Sequence, residues 1–288
     1  MNSLYVFNIA RLAVGSLLKE AAVHPKPGLV TPLDNGSHAD MDFQNFIDSA
    51  MALLPCFLNC ASIGLETLEL GAEDVLGLLR VTGRQGEWEM LRATGGVNTH
   101  KGAIFLLGLL CAAAGRLAAQ ERESTPRALA LTASSFVRGI VGRELADLTL
   151  ERCRTAGERA FVLYGLEGVR GEAERGFPTA LRAAGRMREL ERNGTLSFRE
   201  RAAHVLIHIV SENADCNLVA RGGLDAMLNV QAEAKEILQA GGMLTPSGRA
   251  GIAEMERRLV SRNLSPGGSA DILSAALFLE GAHACRTD

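Results

Sequence analysis

The sequence has 288 residues, of which 47% are hydrophobic and 22% are charged, and its formal net charge is −3. These values exclude an intrinsically disordered chain, a collagen-like repeat and a small disulfide-rich fold. They also argue against general affinity for nucleic acid or for an anionic membrane surface, because both need a marked excess of positive charge.

Apolar residues recur at helical spacing in successive segments along the chain. In chain order the predicted helical segments are 4–23, 42–65, 72–92 with a break at 83–86, 103–119, 126–141, 149–163, 178–192, 197–210, 224–239, 247–261 and 270–281. Segment 103–119 is hydrophobic on all sides, which is typical of a central buried helix. No stretch shows convincing strand alternation, and no linker is long enough to separate domains. We therefore predict an all-α fold, a single compact domain over residues 1–288 with about ten to twelve helices.

The cysteine content and the N-terminus indicate where the protein works. Six cysteines are scattered along the chain without a C-x-x-C pair, so neither a structural zinc site nor a disulfide framework is expected. The N-terminus lacks the features of a signal peptide. The longest apolar run, 103–114, is interrupted by Gly108 and is shorter than the roughly 20 residues of a membrane span. We expect a cytoplasmic protein with reduced thiols.

Five polar segments rich in glycine interrupt the predicted helices. They span residues 25–42, 94–102, 168–178, 213–223 and 265–271. Connections between packed helices are usually about 2–8 residues long, so folding alone does not require such segments. Each combines glycine with a carboxylate, an amide or a cation, which is the composition needed where backbone N–H groups approach an anion. Together they predict one cleft for an anionic ligand, a polyphosphate with a divalent ion.

The segment 25–42 offers a cation and then a group of acids. Lys26 lies between two prolines that fix the backbone, so its ammonium group is a candidate phosphate ligand, and a stiff surface turn is the alternative. Asp34, His38, Asp40 and Asp42 follow within a stretch of nine residues. Carboxylate oxygens are the ligands that Mg²⁺ prefers, and we predict Asp34 and Asp40 as metal ligands. A solvated acidic turn with a helix cap at Asp40 or Asp42 is the alternative.

The segment 94–102 precedes the apolar helix and offers N–H groups, hydroxyls and an ammonium group to a phosphate. Its predicted phosphate ligands are Gly95, Gly96, Asn98, Thr99 and Lys101. The segment is not a Walker A loop, since the required spacing is absent. His100 is a candidate base or phosphate donor. Helix capping by Asn98 or Thr99 is compatible with either role.

The three remaining segments repeat this composition. Glu172 lies beside Arg170, and Asp215 and Asn217 offer a further pair of oxygens. Further phosphate ligands are predicted at Arg170, Arg221, Gly222, Ser265, Gly267, Gly268 and Ser269. We predict Glu172, Asp215 and Asn217 as metal ligands. The alternative for Asp215 is that it only caps the following helix.

These segments, in this order, resemble the triphosphoribosyl-dephospho-coenzyme A synthase family. The matching stretches are PKPGLV (25–30), NGSHADMD (35–42), TGGVNTHKGAIF (94–105), RGEAERGFP (170–178), NADCNLVARGG (213–223) and NLSPGGSAD (263–271). The resemblance runs from about residue 20 to about residue 280. Two positions depart from the family pattern, which has an Asp where this chain has Thr31 and a Gly where it has Ala214.

The resemblance implies an all-helical enzyme that transfers the triphosphoribosyl group of ATP to 3'-dephospho-coenzyme A and releases adenine. Its product, 2'-(5''-triphosphoribosyl)-3'-dephospho-CoA, is the precursor of the acyl-carrier prosthetic group of citrate lyase or malonate decarboxylase, with a slight preference for citrate lyase. A holo-acyl-carrier-protein synthase would take up this product. ATP would be a substrate and Mg²⁺ the cofactor, with no nucleic-acid or membrane partner and an open oligomeric state.

The implied chemistry assigns roles to the residues above. An oxocarbenium-like transition state at the ribose needs nearby carboxylates, one of which acts as base. The candidate catalytic residues are Asp40, Glu172, Asp215 and His100, and the choice of base among the three carboxylates stays open. Two other functions are considered: an Mg²⁺-dependent nucleotide hydrolase, with water as the acceptor, and a helical interaction protein without catalysis.

Overall fold

Helices account for the regular structure in the computed structural model of the protein, which describes residues 2–282. The fourteen α-helices of this range are α1 Asn2–Ala21, α2 Phe43–Ala52, α3 Leu54–Glu66, α4 Ala72–Ala93, α5 Lys101–Ala119, α6 Pro126–Phe136, α7 Ile140–Leu145, α8 Ala156–Tyr164, α9 Gly168–Glu174, α10 Pro178–Asn193, α11 Phe198–Glu212, α12 Cys216–Gln239, α13 Pro246–Ser261 and α14 Gly267–Ala282. Two 3₁₀ turns lie at Leu150–Arg152 and Gly242–Leu244. No strand occurs in residues 2–282, so the prediction of an all-α fold is confirmed.

The number of helices exceeds the predicted ten to twelve because two predicted segments are divided and because α9 lies within segment 168–178, which was predicted to interrupt the helices. Segment 42–65 separates into α2 and α3 at Leu53, and segment 126–141 separates into α6 and α7 before Gly139, whose φ is +74°. The predicted break at 83–86 was wrong, since α4 is continuous. Gly86 serves close packing instead, because a Cβ there would lie 2.6 Å from Cys56 Sγ on α3.

Helices α5 and α14 form the centre of the fold. Thirteen of the 19 residues of α5 are buried, as the apolar pattern of segment 103–119 predicts. Residues 272–279 of α14 are all buried as well. Helix α14 packs against α1, α5 and α10, and α5 packs against α3, α6 and α14. A continuous core surrounds both helices, and the five cysteines among the described residues are free thiols, Cys285 lying outside that range.

Two helical stretches pass the length and composition test for a membrane span. They are Phe43–Glu66 and Lys101–Ala119, with 39% and 72% of the tested window buried. The apolar run 103–114 lies within the 19-residue helix α5, so length does not exclude a span. A helix that is hydrophobic all round lies either in a protein core or in a membrane. Burial in the core of this fold is sufficient to explain the apolar composition of α5.

Helices α3 and α5 approach closely enough to require glycine at their crossing. A Cβ on Gly64 would overlap the carbonyl oxygen of Ala112, and a Cβ on Gly115 would overlap that of Ala61.

Because the obstructing atoms are backbone, we expect Gly64→Ala to lower the free energy of unfolding by about 3 kcal/mol, the upper end for an overpacked core. Urea denaturation measures this. The control is Gly77→Ala, at an exposed position of α4 where no atom lies within 4 Å of the new Cβ. This substitution should stabilise the protein by about 0.5–1 kcal/mol. Equal stabilities would contradict the account.

Candidate active site

All five glycine-rich segments contribute to the wall of one cavity of about 600 Å³. Its lining residues from these segments include His38, Asp40, Asn98, Thr99, His100, Lys101, Gly168, Arg170, Asn213, Asp215, Asn217, Arg221, Ser265, Gly267, Gly268 and Asp271. The N-termini of α5, α9, α12 and α14 all meet the cavity. The positive ends of four helix dipoles therefore face the same space, which favours an anionic ligand.

Asp215 joins the start of α12 to the start of α14. Its Oδ1 accepts from the N–H groups of Asn217 at 2.9 Å and Leu218 at 3.3 Å, and its Oδ2 accepts from Ser269 N at 2.7 Å and Ser269 Oγ at 2.8 Å. A further contact from Gly268 N is 3.4 Å long. The side chain is 1% exposed, and burial raises the pKa of Asp215 although these donors oppose the shift. Capping is thus observed, and a role as metal ligand stays a prediction.

His38 connects three of the segments at one edge of the cavity. Its Nε2 lies 2.9 Å from Ser265 Oγ, and its Nδ1 lies 3.2 Å from Arg221 Nη2 and 3.6 Å from Asp40 Oδ1. Arg221 can only donate, so Nδ1 is the acceptor and Nε2 carries the proton. Burial and the charge of Arg221 lower the pKa of His38. A neutral imidazole therefore holds Arg221 and Ser265 in place.

Two interacting carboxyl groups, Glu20 and Asp271, belong to α1 and α14. Glu20 is 2% exposed and accepts from Lys26 Nζ at 2.8 Å, and Lys26 is 1% exposed. Asp271 lines the cavity as Glu20 does. Burial and the carboxylates of Asp215 and Glu20 raise the pKa of Asp271 well above its usual range. Asp271 packs so closely on α5 that a Cβ on Gly102 would overlap its Oδ2.

Arginine and glutamate side chains form a second charged region of the wall. Glu144 accepts from Arg170 Nε at 2.8 Å and also pairs with Arg80. Burial is the main cause that lowers the pKa of Arg80, and other arginines nearby add to it. Lys101 Nζ pairs with Glu87 Oε2 at 2.8 Å, and both side chains remain partly exposed. These cations are held in place by carboxylates and still border the cavity.

Several predicted site residues are not brought to the cavity wall. They are Lys26, Asp34, Gly95, Gly96, Glu172, Gly222 and Ser269. Gly95 and Gly96 have φ of +67° and +98° and turn the chain after α4, where Gly96 N donates to Leu91 O at 2.7 Å. Glu172 accepts from the N–H groups of Thr179 and Ala180 at 2.8 and 2.9 Å. Burial raises the pKa of Glu172, with these donors acting against the shift.

The predicted metal ligands are dispersed rather than clustered. Asp34 is exposed in its loop, where Oδ1 accepts from Gly36 N at 2.9 Å. Among residues 2–282, no group of three or more His, Cys, Asp or Glu side chains has an arrangement that could hold a metal ion. Of the predicted set, Asp40, Asp215 and Asn217 line the cavity. Asp215 is committed to helix N–H groups, which leaves Asp40 and Asn217 with oxygen atoms for a cation.

The structure adds residues that the sequence reasoning did not single out as site residues. Asp271 ends the SPGGSAD stretch, and His38 lies within NGSHAD, so their motifs were recognised without these side chains being assigned. Glu20 and Arg80 lie inside regular helices, where no local signal distinguishes them from ordinary surface charges. Ser49 lies behind the wall, fully buried in α2 beside His100.

Comparisons with known proteins agree with this arrangement. The model of the ATP:dephospho-CoA triphosphoribosyl transferase family matches residues 7–286. A 2-(5''-triphosphoribosyl)-3'-dephosphocoenzyme-A synthase from Escherichia fergusonii is 39% identical over 94% of this chain and 89% of its own length. The enzyme of the same name from Klebsiella pneumoniae is 41% identical over 92% and 87%. A crystal structure assigned as a triphosphoribosyl-dephospho-coA synthase from Archaeoglobus fulgidus shares the fold, with a TM-score of 0.53, 17% identity, and 83% of this chain and 99% of that chain covered. The chain therefore belongs to the ATP:dephospho-CoA triphosphoribosyl transferase family.

Proposed function

We propose that this chain transfers the triphosphoribosyl group of ATP to 3'-dephospho-coenzyme A and releases adenine, with both substrates in the cavity described above. The observation that carries the proposal is the match of the family model over residues 7–286, together with the convergence of all five family-like segments on one cavity. A nucleotide hydrolase is not favoured, because the family and the relatives are named for transfer to dephospho-coenzyme A.

The triphosphate stays intact during this reaction, so the protein has to hold it without cleaving it. Lys101, Arg170 and Arg221 border the cavity and supply cations of the kind that bind phosphate oxygens. The N–H groups at the start of α5 add to them, since a helix N-terminus attracts an anion. Each cation already lies beside a polar partner, which limits the entropy lost on binding.

The bond changes at the ribose define what the protein must provide. The C1'–N9 bond of ATP breaks and its electron pair leaves with adenine, while a ribose hydroxyl oxygen of dephospho-coenzyme A bonds to C1'. The proton of that hydroxyl ends on the released adenine, so the overall reaction is balanced. A carboxylate that accepts the proton on the way is a general base, a role worth about 10²–10⁴-fold in rate.

Asp271 suits the role of base better than the carboxylates predicted from the sequence. Glu172 is bound to helix N–H groups behind the wall, and Asp215 has both oxygens occupied by donors. Asp40 lines the cavity with its side chain 67% exposed, where water competes. Asp271 borders the cavity and is half-buried, and a raised pKa makes a carboxylate a stronger base.

A divalent cation is part of the proposal. Of the predicted metal ligands, Asp40 and Asn217 line the cavity with oxygen atoms that do not cap a helix, and a Mg²⁺ ion usually takes only one or two protein carboxylates together with substrate phosphates and water. The dispersed acids thus fit an ion that arrives with the triphosphate. Bound there, Mg²⁺ would neutralise charge on the triphosphate.

Adenine release tests the proposed function. We expect free adenine to form from ATP only when dephospho-coenzyme A and a divalent ion are both present, and chromatography of the reaction mixture measures it. Omission of the acceptor and addition of excess chelator are the two controls. Adenine formed at the same rate without acceptor would contradict transfer, and a rate unaffected by chelator would contradict the requirement for Mg²⁺.

Lys101→Ala should weaken ATP binding far more than it affects folding. Lys101 is the first residue of α5, is half exposed, and pairs with Glu87 alone among the ion pairs of the described chain. Loss of a charge-assisted contact costs roughly 1.5–3 kcal/mol, or about a tenfold to hundredfold loss of affinity. Calorimetric titration with ATP and thermal unfolding measure the two effects. The control is Lys235→Ala on exposed α12, and a variant that melts much earlier but binds ATP normally would contradict this role.

The compartment and the fate of the product follow from the proposed reaction. We infer a cytoplasmic enzyme whose product passes to a holo-acyl-carrier-protein synthase, in support of citrate lyase or malonate decarboxylase. Family membership supports this context, since the relatives are named for the same product.

A further inference from the structure

Two polar side chains in a row, Thr99 and Ser49, fix the orientation of the His100 ring. Thr99 Oγ1 donates to Ser49 Oγ at 2.7 Å, and Ser49 Oγ lies 2.6 Å from His100 Nδ1. Ser49 is 0% exposed and His100 is 2% exposed. The second ring nitrogen, Nε2, is buried and has no hydrogen-bond partner within residues 2–282. Because His100 borders the cavity, this nitrogen remains for a molecule bound there.

The protons of this chain of groups can be placed by counting donors and acceptors. Ser49 already accepts a hydrogen bond from Thr99, so its own proton needs an acceptor. If Ser49 donates to Nδ1, that proton is used and only Nε2–H lacks a partner. If Nδ1–H donated to Ser49 instead, the buried hydroxyl proton of Ser49 and the Nε2 lone pair would both lack partners. Since each unpaired buried polar group costs about 1–3 kcal/mol, the first arrangement is favoured.

The ring stays neutral in this environment. Burial, with a smaller effect from the charge of Lys26, lowers the pKa of His100 to about 3. A neutral ring whose Nδ1 accepts from Ser49 has its single proton on Nε2. His100 therefore offers the cavity a hydrogen-bond donor, and it has no free lone pair with which to act as a base.

The neighbours of His100 indicate what this donor binds. The Phe46 ring stands edge-on to it, with ring centroids 5.0 Å apart and an interplanar angle of 83°. Phe46 also borders the cavity, together with the apolar side chains of Leu29, Met41 and Ile104. A neutral donor beside an aromatic ring suits a flat heteroaromatic acceptor, whereas phosphate oxygens are served by the cations described above.

We propose that Thr99 and Ser49 hold His100 as an Nε2–H donor to a ring nitrogen of the adenine of ATP, which makes Ser49 a positioning residue for the reaction. The inference rests on the proposed function. As the C1'–N9 bond breaks, its electron pair moves onto adenine, and a donor to a ring nitrogen stabilises the charge that develops there. Ser49 acts through His100 and does not touch the substrate.

Nitrogen NMR of the histidine rings tests the first half of the proposal without any substrate. In the full-length protein labelled with ¹⁵N, the His100 signals should show a protonated Nε2 and an unprotonated Nδ1 at neutral pH. Ser49→Ala should shift or mix these signals, because Nδ1 loses its donor. Ser16→Ala is the matched control, since Ser16 is 1% exposed and bonds only the carbonyl of Leu12. A proton on Nδ1 in the wild type would overturn the proposal.

Substrate analogues that lack one ring nitrogen test the second half. We expect 7-deaza-ATP or 3-deaza-ATP to lower kcat for wild type by roughly 2- to 10-fold, the worth of one neutral hydrogen bond. For His100→Phe, kcat with the same analogue should equal kcat with ATP. For Ser49→Ala, the loss of kcat should lie between those of the wild type and His100→Phe. Equal losses in wild type and His100→Phe for every deaza analogue would overturn the adenine contact. A wild type that releases no adenine from ATP would instead contradict the proposed function, and the NMR result would still decide the tautomer.

Discussion

Asp271→Asn is expected to lower turnover by about 10²–10⁴-fold, the range for loss of a general base, while the protein remains at least as stable as the wild type. Asparagine has the same shape, and its Oδ1 can still accept from the Ala103 backbone that Asp271 now uses. The amide cannot accept a proton from the acceptor hydroxyl. Steady-state kinetics at saturating ATP and dephospho-coenzyme A measure the loss, with Asp225→Asn on the exposed surface as the control.

The pH dependence of stability should distinguish Asp271 from a structural carboxylate. Burial and the nearby carboxylates raise the pKa of Asp271 in the folded protein. From about pH 4, the ordinary value of an aspartate, up to that raised pKa, the unfolded chain has lost a proton that the folded chain keeps. Wild-type stability therefore falls as the pH rises through this range, and Asp271→Asn removes the loss. Urea denaturation should show the variant gaining on wild type as the pH rises, and an opposite trend would contradict the assignment.

The kinetic pH profile gives a second check on Asp271. A base must be ionised to act, so kcat/KM of the wild type should rise with pH through the raised pKa of Asp271. In Asp271→Asn the residual activity should lose this rise. Near-wild-type turnover, or an unchanged profile in the variant, would show that another group is the base.

Asp215→Asn is expected to lower the free energy of unfolding by about 2–4 kcal/mol, from the loss of charge-assisted hydrogen bonds and of a helix cap. Oδ1 accepts from the start of α12, and Oδ2 accepts from Ser269 N and Ser269 Oγ at the start of α14. In Asp215→Asn one of these oxygens becomes an NH₂ group, which donates and cannot accept. It would lie against a backbone N–H group that is also a donor. Both helix starts border the cavity, so turnover should fall as well. Thermal or urea unfolding measures the main effect.

A second aspartate cap provides the matched control for Asp215. Asp42 caps α2 by accepting from Asn45 N at 3.0 Å. Asparagine caps helices about as well as aspartate, so Asp42→Asn should cost little. If Asp215→Asn abolished turnover and left the melting temperature unchanged, Asp215 would act as a metal ligand. Its hydrogen bonds to the two helix starts would then contribute little to stability.

The fold could be predicted because helical periodicity is a local property of the sequence. The apolar pattern of segment 103–119 identified α5 as the central helix, and 13 of its 19 residues are buried. Glycine and proline marked the segments at which the cavity forms, although three of these segments contain the first turns of α9, α12 and α14. Gly86 shows the limit of this reasoning, because a glycine that permits contact with Cys56 of α3 and a glycine that ends a helix are indistinguishable in the sequence.

The segments of the site could be predicted, but the task of each side chain could not. Asp215 was recognised as a cap or a ligand, yet its second set of donors comes from Ser269, which lies 54 residues further along the chain. Lys26 was expected to face a phosphate, and its ammonium group is instead buried against Glu20. Gly95 and Gly96 were expected at the start of α5, and they end α4. The partner of each side chain depends on how the helices pack together, and the sequence of a single segment does not specify this packing.

Mass spectrometry of the reaction product tests the central claim most directly. Wild-type protein would be incubated with dephospho-coenzyme A, Mg²⁺ and ATP labelled in both the ribose and the γ-phosphate. We predict one product that carries the labelled ribose and the intact labelled triphosphate on dephospho-coenzyme A, formed in a one-to-one ratio with free adenine. Free labelled triphosphoribose with unmodified dephospho-coenzyme A, or a coenzyme adduct without the γ-phosphate label, would contradict transfer of the triphosphoribosyl group.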